Sequence, residues 1–336
     1  MKKTIIYFAR TAFVAVALLA GTSCNKTEKE TAEINDGKVV LTVNLDSGTD
    51  LSMTTRASLN AAGETKINDV QIFVFNKEDG SLDSYHNGSA SKQIKIRCTT
   101  GKKRVFSIIN APSLSSYTDT TSLLAQTTSL SDNSIGGFVM TGRASVTLPA
   151  QTTVNLSVSR ITSRVCIKSI SVDFTSEGYK NLDFMIKSIY MINVAGNTDY
   201  SVAATPTAWY NKSSHSDNNM DALLYKRIET KLTSTSALTP NEYFYVYPNP
   251  TADDNSDKPF TPRYTRLVIE ATLGETTCYY PISLKGLERN KTYTVSSLKI
   301  TRPGSDDPDK EITSTECPFN IEVEDWIAGT DQNLVI

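Results

Sequence analysis

The sequence predicts an all-β protein of two tandem β-sandwich domains with short helical excursions. Short alternating or continuously apolar runs recur along the chain, among them VQIFVFNKEDGSLDSY, KRVFSIINAP, TRLVIEATLG and KTYTVSSLKI, with Asn, Asp, Gly and Pro turn clusters between them. The composition, 39% hydrophobic with 15 Tyr and 11 Phe, suits pleated surfaces rather than helical bundles. One run, residues 152–174, exceeds a usual strand of roughly 5–6 residues at least twofold, as a direct passage between the last strand of one domain and the first of the next would. That places a domain boundary near Ser163.

Each element follows in order. Lys2, Lys3 and Arg10 precede the apolar TAFVAVALLAG, which ends at small residues before Cys24, the pattern of a secretory signal. The apolar stretch is short for a transmembrane helix of roughly 20 residues, and the polar NKTEKETAEIND follows it as a tether. In residues 39–45, Val39, Leu41, Val43 and Leu45 alternate with Val40, Thr42 and Asn44, a strand with one apolar face. About ten residues later Arg56 and Ala57 lie in a run of small polar residues open to a trypsin-like protease. INDVQIFVFNKEDGSL reads as a strand, a turn of Asn, Asp and Gly, and a returning strand. Residues 114–130 form a polar connection with a few apolar side chains, and residues 218–229 have helical spacing over two or three turns. At the C-terminal end of the chain, Cys317, Phe319, Ile321 and Val323 share one face, followed by Trp326 and a last apolar stretch of Leu334, Val335 and Ile336.

Residues that carry chemistry are sparse. His86 and His215 each sit in a polar, turn-rich segment and read as solvated loop residues. Glu322 and Glu324 read as the polar face of a strand, not as an acid and base pair. Cys98, Cys166, Cys278 and Cys317 lack metal-ligand spacing and read as small buried side chains, with no disulfide pairing assigned. The acidic loops TADDNSDKP and GSDDPDKE lack the regular spacing of a calcium loop. A net charge of −2 gives no reason to expect nucleic acid as a partner. The expectation is no enzyme, no cofactor and no metal. Trp209 and Tyr210, beside YFYVYPNP, are candidate glycan contacts because such rings offer broad apolar faces with polar tips.

These segments, in order, resemble the fimbrillin family of type V pilus subunits: LLAGTSC, TTRA, INDVQIFVFNKEDGSL, VFSIINAP, FVMTG, VSRITSRV, IKSIYMINVAG, FYVYPNP, YYPISLKGLERNKTYTV, ITRPGSDDPD and VEDW. LLAGTSC also resembles a bacterial lipobox, which implies acylation at Cys24 and anchorage to the outer membrane. The resemblance implies transthyretin-like sandwiches, removal of the N-terminal segment after Arg56 by an arginine-specific surface protease, and polymerisation by donor-strand exchange with other copies or related pilus subunits. The implied divisions are a signal peptide over 1–23, a lipidated propeptide with the removable strand over 24–56, an N-terminal domain over 57–162 with strand 38–46 before cleavage, and a C-terminal domain over 163–336. The candidate donor comprises Phe319, Ile321, Val323, Trp326, Leu334, Val335 and Ile336, with CPFNIEVEDW mainly in its own sheet and IAGTDQNLVI swinging. A tip or accessory adhesin, and a monomeric glycan-binding surface lipoprotein, stay open as alternatives, as does a host or bacterial receptor.

Overall fold

The structure is a computed structural model that describes residues 37–46, 61–215, 221–254 and 263–326. Cys24, Arg56, Ala57, Leu334, Val335 and Ile336 lie outside the described residues.

The N-terminal strands are β1 (Lys38–Asp46), β2 (Asp69–Asn76), β3 (Leu82–Ser89), β4 (Gln93–Thr99), β5 (Gly101–Ile109), β6 (Thr127–Ser129), β7 (Met140–Leu148) and β8 (Thr153–Arg160). Seven of them form one sheet in the order β3-β2-β5-β7-β8-β1-β4. The sheet folds over at β7 and β8, which pair only across residues 140–142. Gly142 sits at that split, where a Cβ would come within 2.7 Å of the Ser157 carbonyl oxygen, so any larger residue would push the strands apart. The two halves enclose a core that takes Val39, Leu41, Val43 and Leu45 from β1, Val70, Ile72 and Val74 from β2, and Ile94, Ile96 and Cys98 from β4. The KEDG turn joins β2 to β3 as the sequence predicts, with Gly80 at φ +74°. Every residue from Val70 to Phe75 is buried because both faces of β2 are covered: Phe73 and Phe75 point away from Val70, Ile72 and Val74 into a second core.

That second core is larger. On the N-terminal side it is roofed by residues 114–138, where the predicted connection contributes a short helix, α2 (Thr120–Leu124), and the buried Leu114, Leu123, Leu130 and Phe138. Another one-turn helix, α1 (Ala61–Glu64), precedes β2. The rest of the core lies between the sheets formed after Ser163.

Those sheets contain β9 (Ser163–Ile167), β10 (Ile170–Val172), β11 (Phe184–Ile192), β12 (Val194–Ala195), β13 (Asn197–Asp199), β14 (Trp209–Tyr210), β15 (Tyr225–Leu232), β16 (Ala237–Leu238), β17 (Tyr243–Val246), β18 (Thr265–Leu273), β19 (Thr276–Leu284), β20 (Lys291–Ile300) and β21 (Phe319–Asp325), with one-turn helices α3 (Glu177–Lys180) and α4 (Asp221–Leu224). β15-β11-β18-β19 is one sheet, and β16-β10-β20-β9-β17 with β21 on β20 is the other. β9 and β10 lie in line along β20, both parallel to it, so the second sheet is four strands deep with β21 on its edge. The long run of residues 152–174 is therefore three strands, and the chain changes sheet between Arg160 and Ser163.

Three sequence expectations change. Helical spacing over residues 218–229 yields only α4, and from Tyr225 the chain is strand β15, because pairing with β11 places Ile228 and Leu232 against the core with period two. His86 is on β3 and not in a loop. His215 is not a solvated loop residue: its ring stacks on Tyr225 at 4.0 Å between centroids. All four described cysteines are buried, as read from sequence, and each is a free thiol, which the sequence left open. Among the described residues no helix is long and apolar enough to cross a membrane, and no group of three or more His, Cys, Asp or Glu is arranged to hold a metal ion.

Candidate functional site

Two places carry the residues singled out in the sequence: the slot occupied by β1 and the end of β21. β1 runs antiparallel to β4, with Lys38 to Asn44 opposite Thr99 to Gln93, and parallel to β8, with Thr42 to Asp46 beside Thr153 to Ser157. It is thus an internal strand bonded on both edges. Val39, Leu41, Val43 and Leu45 are at most 8% exposed. Burial of four such side chains stabilises the docked strand by on the order of 6–12 kcal/mol as an upper figure, before the ladder bonds are counted. On the opposite face an amide relay fixes register: Gln93 donates to the Asn44 side-chain oxygen at 3.2 Å, and Asn44 donates to Asn155 at 2.9 Å. Removing β1 alone would leave β4 and β8 with unpaired edges and the core open, so the slot demands an occupant.

The other place is the end of β21. Among the described residues this strand is bonded to β20 alone, and it turns its apolar side chains partly to solvent: Phe319 and Ile321 are half-buried, while Val323 is 52% exposed. The face shared by Cys317, Phe319, Ile321 and Val323 is therefore not uniformly buried, because β21 is an edge strand that runs out past the packed layer. Burial resumes at Trp326, which is 2% exposed. Its indole N–H donates to the Glu64 carboxylate at 3.1 Å.

Glu64 is the centre of a buried cluster that the sequence did not single out. It is fully buried on α1, and it accepts from the Arg164 guanidinium at 3.0 and 3.2 Å and from the Tyr245 hydroxyl at 2.9 Å. Arg160 donates to the Glu64 carbonyl oxygen at 2.8 Å and lies over the Trp326 ring at 4.4 Å. Desolvation pulls the Arg160 guanidinium down to about 10, against the favourable pull of Glu64. Tyr245 stacks on Trp326, and Phe138 meets it edge-on, each at 5.6 Å. The cluster thereby joins the turn before β2, the β8–β9 crossing and the end of β21. The available signal was SRITSR, in which two arginines interrupt an apolar run.

The remaining sequence candidates are placed as follows. Trp209 and Tyr210 form β14 and are half-buried, packed against the larger core, with the Tyr210 hydroxyl 3.4 Å from that of Ser129. Asp254 and Asp309 of the two acidic loops both pair with Arg263 and Arg266. Burial, the largest influence, pushes the Asp309 carboxyl up despite these partners. Glu322 accepts from Ser296 at 2.6 Å on the solvent side.

Comparisons with known proteins agree with this architecture. No curated protein sequence matches the chain. Among solved structures, a candidate cell adhesion protein from Bacteroides eggerthii superposes with a TM-score of 0.64 at 19% identity, over 88% of this chain and 98% of that one. A fimbrilin from Porphyromonas gingivalis superposes at 0.58 and 16% identity, over 87% of this chain and 98% of that one. The tip fimbrial protein Mfa3 from the same organism, with a C-terminal truncation, gives 0.53 and 15%, over 86% and 100%. At such identities these likenesses establish the fold, an all-β sandwich architecture. The model of the major fimbrial subunit protein (FimA) family, a family of structural subunits and not of enzymes, matches residues 38–183, from β1 to the residue before β11. Residues 38–183 are thus similar to the major fimbrial subunit protein family, and the fold is similar to that of a solved fimbrilin.

Proposed function

We propose that this chain is a polymerising subunit of an extracellular fimbrium, exported as an outer-membrane lipoprotein acylated at Cys24, cut between Arg56 and Ala57 by an arginine-specific surface protease, and assembled by donor-strand exchange. The observation that carries this reading is the position of β1: an internal strand, bonded on both edges and filling the core, that precedes the Arg56 site in sequence. A permanent core strand would gain nothing from such a site, whereas a temporary filler needs one. Residues 57–162 and 163–336 act in this proposal as two domains, the first supplying the slot and the second the donor. Trp326, fixed on Glu64, is the root from which IAGTDQNLVI, with Leu334, Val335 and Ile336, reaches a neighbouring subunit's slot. Main-chain ladder bonds supply affinity in this mode and the apolar pockets supply register. The resulting fibre serves adhesion.

Limited proteolysis of the purified precursor tests this. Cleavage between Arg56 and Ala57, followed by polymers resistant to sodium dodecyl sulphate, is the expected result. Unchanged fibres from Arg56→Ala would refute the processing step, and normal growth after truncation at Trp326 would remove the tail as donor. Cleavage that leaves monomers would favour the tip or accessory position.

A further inference from the structure

A furrow on the outer face of the N-terminal sheet collects positive charge without an acidic residue to balance it. Two adjoining cavities, of about 350 and 410 Å³, share Phe106, Leu124 and Arg143 in their walls. Arg289 lines one and Arg104 the other, and no Asp or Glu lines either, in a protein whose net charge is −2. Among the described residues none of the three arginines has a carboxylate partner.

The register of β5 and β7 builds the row. Arg104 stands opposite Ser145 and Phe106 opposite Arg143, so the two exposed arginines are diagonal neighbours on adjacent strands, on the order of 7–8 Å apart at the backbone. Arg289 comes from the turn between β19 and β20. Its Nε donates to the Arg160 carbonyl at 3.2 Å, and one amino group donates to the Thr141 hydroxyl at 2.9 Å and to the Ser159 carbonyl at 2.8 Å. These neutral acceptors hold the guanidinium in place and leave its charge uncancelled. Burial and the facing charge of Arg143 lower the Arg289 guanidinium to about 10, which marks a cation held where an anion is missing. Between the arginines the furrow is lined by hydroxyls, among them Thr120, Thr141 and Ser159, beside the half-buried Leu124 and the edge of the buried Phe106, and the enclosed Thr120 hydroxyl has no hydrogen-bond partner among the described residues.

We infer that this furrow binds an acidic saccharide, its sulfate or carboxylate groups on Arg104, Arg143 and Arg289 and the C–H faces of its rings on Phe106 and Leu124. Guanidinium forks match both oxyanions, and separated arginines favour a chain of anionic groups over one inorganic ion. The mixed apolar and hydroxyl lining fits sugar rings better than an extended acidic peptide. This site is separate from the β1 slot and stands or falls independently of strand exchange.

Titration calorimetry on the uncleaved precursor tests it, with a chondroitin sulfate tetrasaccharide as probe and cellotetraose, hexaglutamate and inorganic sulfate as comparators. The tetrasaccharide is expected to bind, more weakly as salt rises, while cellotetraose does not. Arg143→Ala and Arg104→Ala, both at exposed positions that leave the fold intact, should each weaken binding about tenfold, the equivalent of one charge-assisted contact. Absence of binding, an affinity in both variants unchanged from that of the unsubstituted protein, or equal affinity for hexaglutamate or inorganic sulfate would overturn the proposal.

Discussion

The first and last described strands, β1 and β21, are both apolar alternating runs, yet the fold treats them oppositely. β1 has partners on both edges and buries four aliphatic side chains, whereas β21 has one partner and leaves Val323 more than half exposed. The strand beside the proposed protease site in sequence is therefore the more deeply integrated of the two. Cutting the chain after it breaks one peptide bond and leaves every ladder bond and apolar contact of β1 in place. Release then depends on competition for the slot, while β21 is held by its ladder with β20, by Phe319 and Ile321 against the core, and by Trp326 bonded to Glu64 at its end.

The largest expected effect tests that anchor. Glu64→Ala leaves the Arg164 guanidinium and the Trp326 N–H without their acceptor in a buried place, and should cost about 3–5 kcal/mol in urea unfolding of the precursor. A loss below about 1 kcal/mol would show that the end of β21 is held by ring packing alone. Leu41→Ala comes next. It opens a cavity in a fully buried position of β1 and should destabilise the precursor by about 2–5 kcal/mol, with the midpoint shifted and the slope unchanged. A chain cut after Arg56 as proposed would lack Leu41, so its stability would respond to the substitution only if β1 stays bound after the cut.

How far the sequence reaches differs between these places. β1, the β2–β3 hairpin and the change of sheet after Arg160 are legible because alternation and turn residues are local signals. The Glu64 cluster is not, since its partners Arg164, Tyr245 and Trp326 lie 100, 181 and 262 positions away, and no periodicity links them. Residues 218–229 mislead for the opposite reason: LLYKRIE carries a helical spacing, and only the neighbouring β11 decides that Ile228 and Leu232 share a sheet face. Edge position is invisible too, because Phe319, Ile321 and Val323 alternate in the same way whether one ladder or two are formed.

Cys98 converts the comparison into a chemical signal. It lies on β4 opposite Val39 of β1, fully buried, and burial pushes its thiol up to about 11 from an ordinary value near 9. Thiolate is the reactive form, so the shift alone lowers its population roughly 100-fold at neutral pH. Iodoacetamide should label Cys98 slowly in the precursor and much faster once β1 has left an unfilled slot. The raised thiol also sets a sign: the docked form holds the proton more tightly, so docking is fully favoured below about 9 and weakens as pH rises toward about 11. Labelling that stays slow after cleavage, in a chain that has not polymerised, would show that β1 remains docked.

The smallest expected effect is at Val323. With 52% of its surface in water, Val323→Thr removes little buried area and keeps the β-branched shape that suits a strand. The monomer should change by less than about 0.5 kcal/mol. A fibre gives a second readout, because strands with one free edge and a half-covered apolar face are where neighbouring subunits gain contact at little cost to the monomer. If Val323→Thr leaves both the monomer and the growth of fibres unchanged, β21 serves only to deliver the chain to Trp326. If the monomer is unchanged and growth slows, the exposed face of β21 is itself covered in the fibre, and the contrast with β1 is one between a strand buried on folding and a strand buried on assembly.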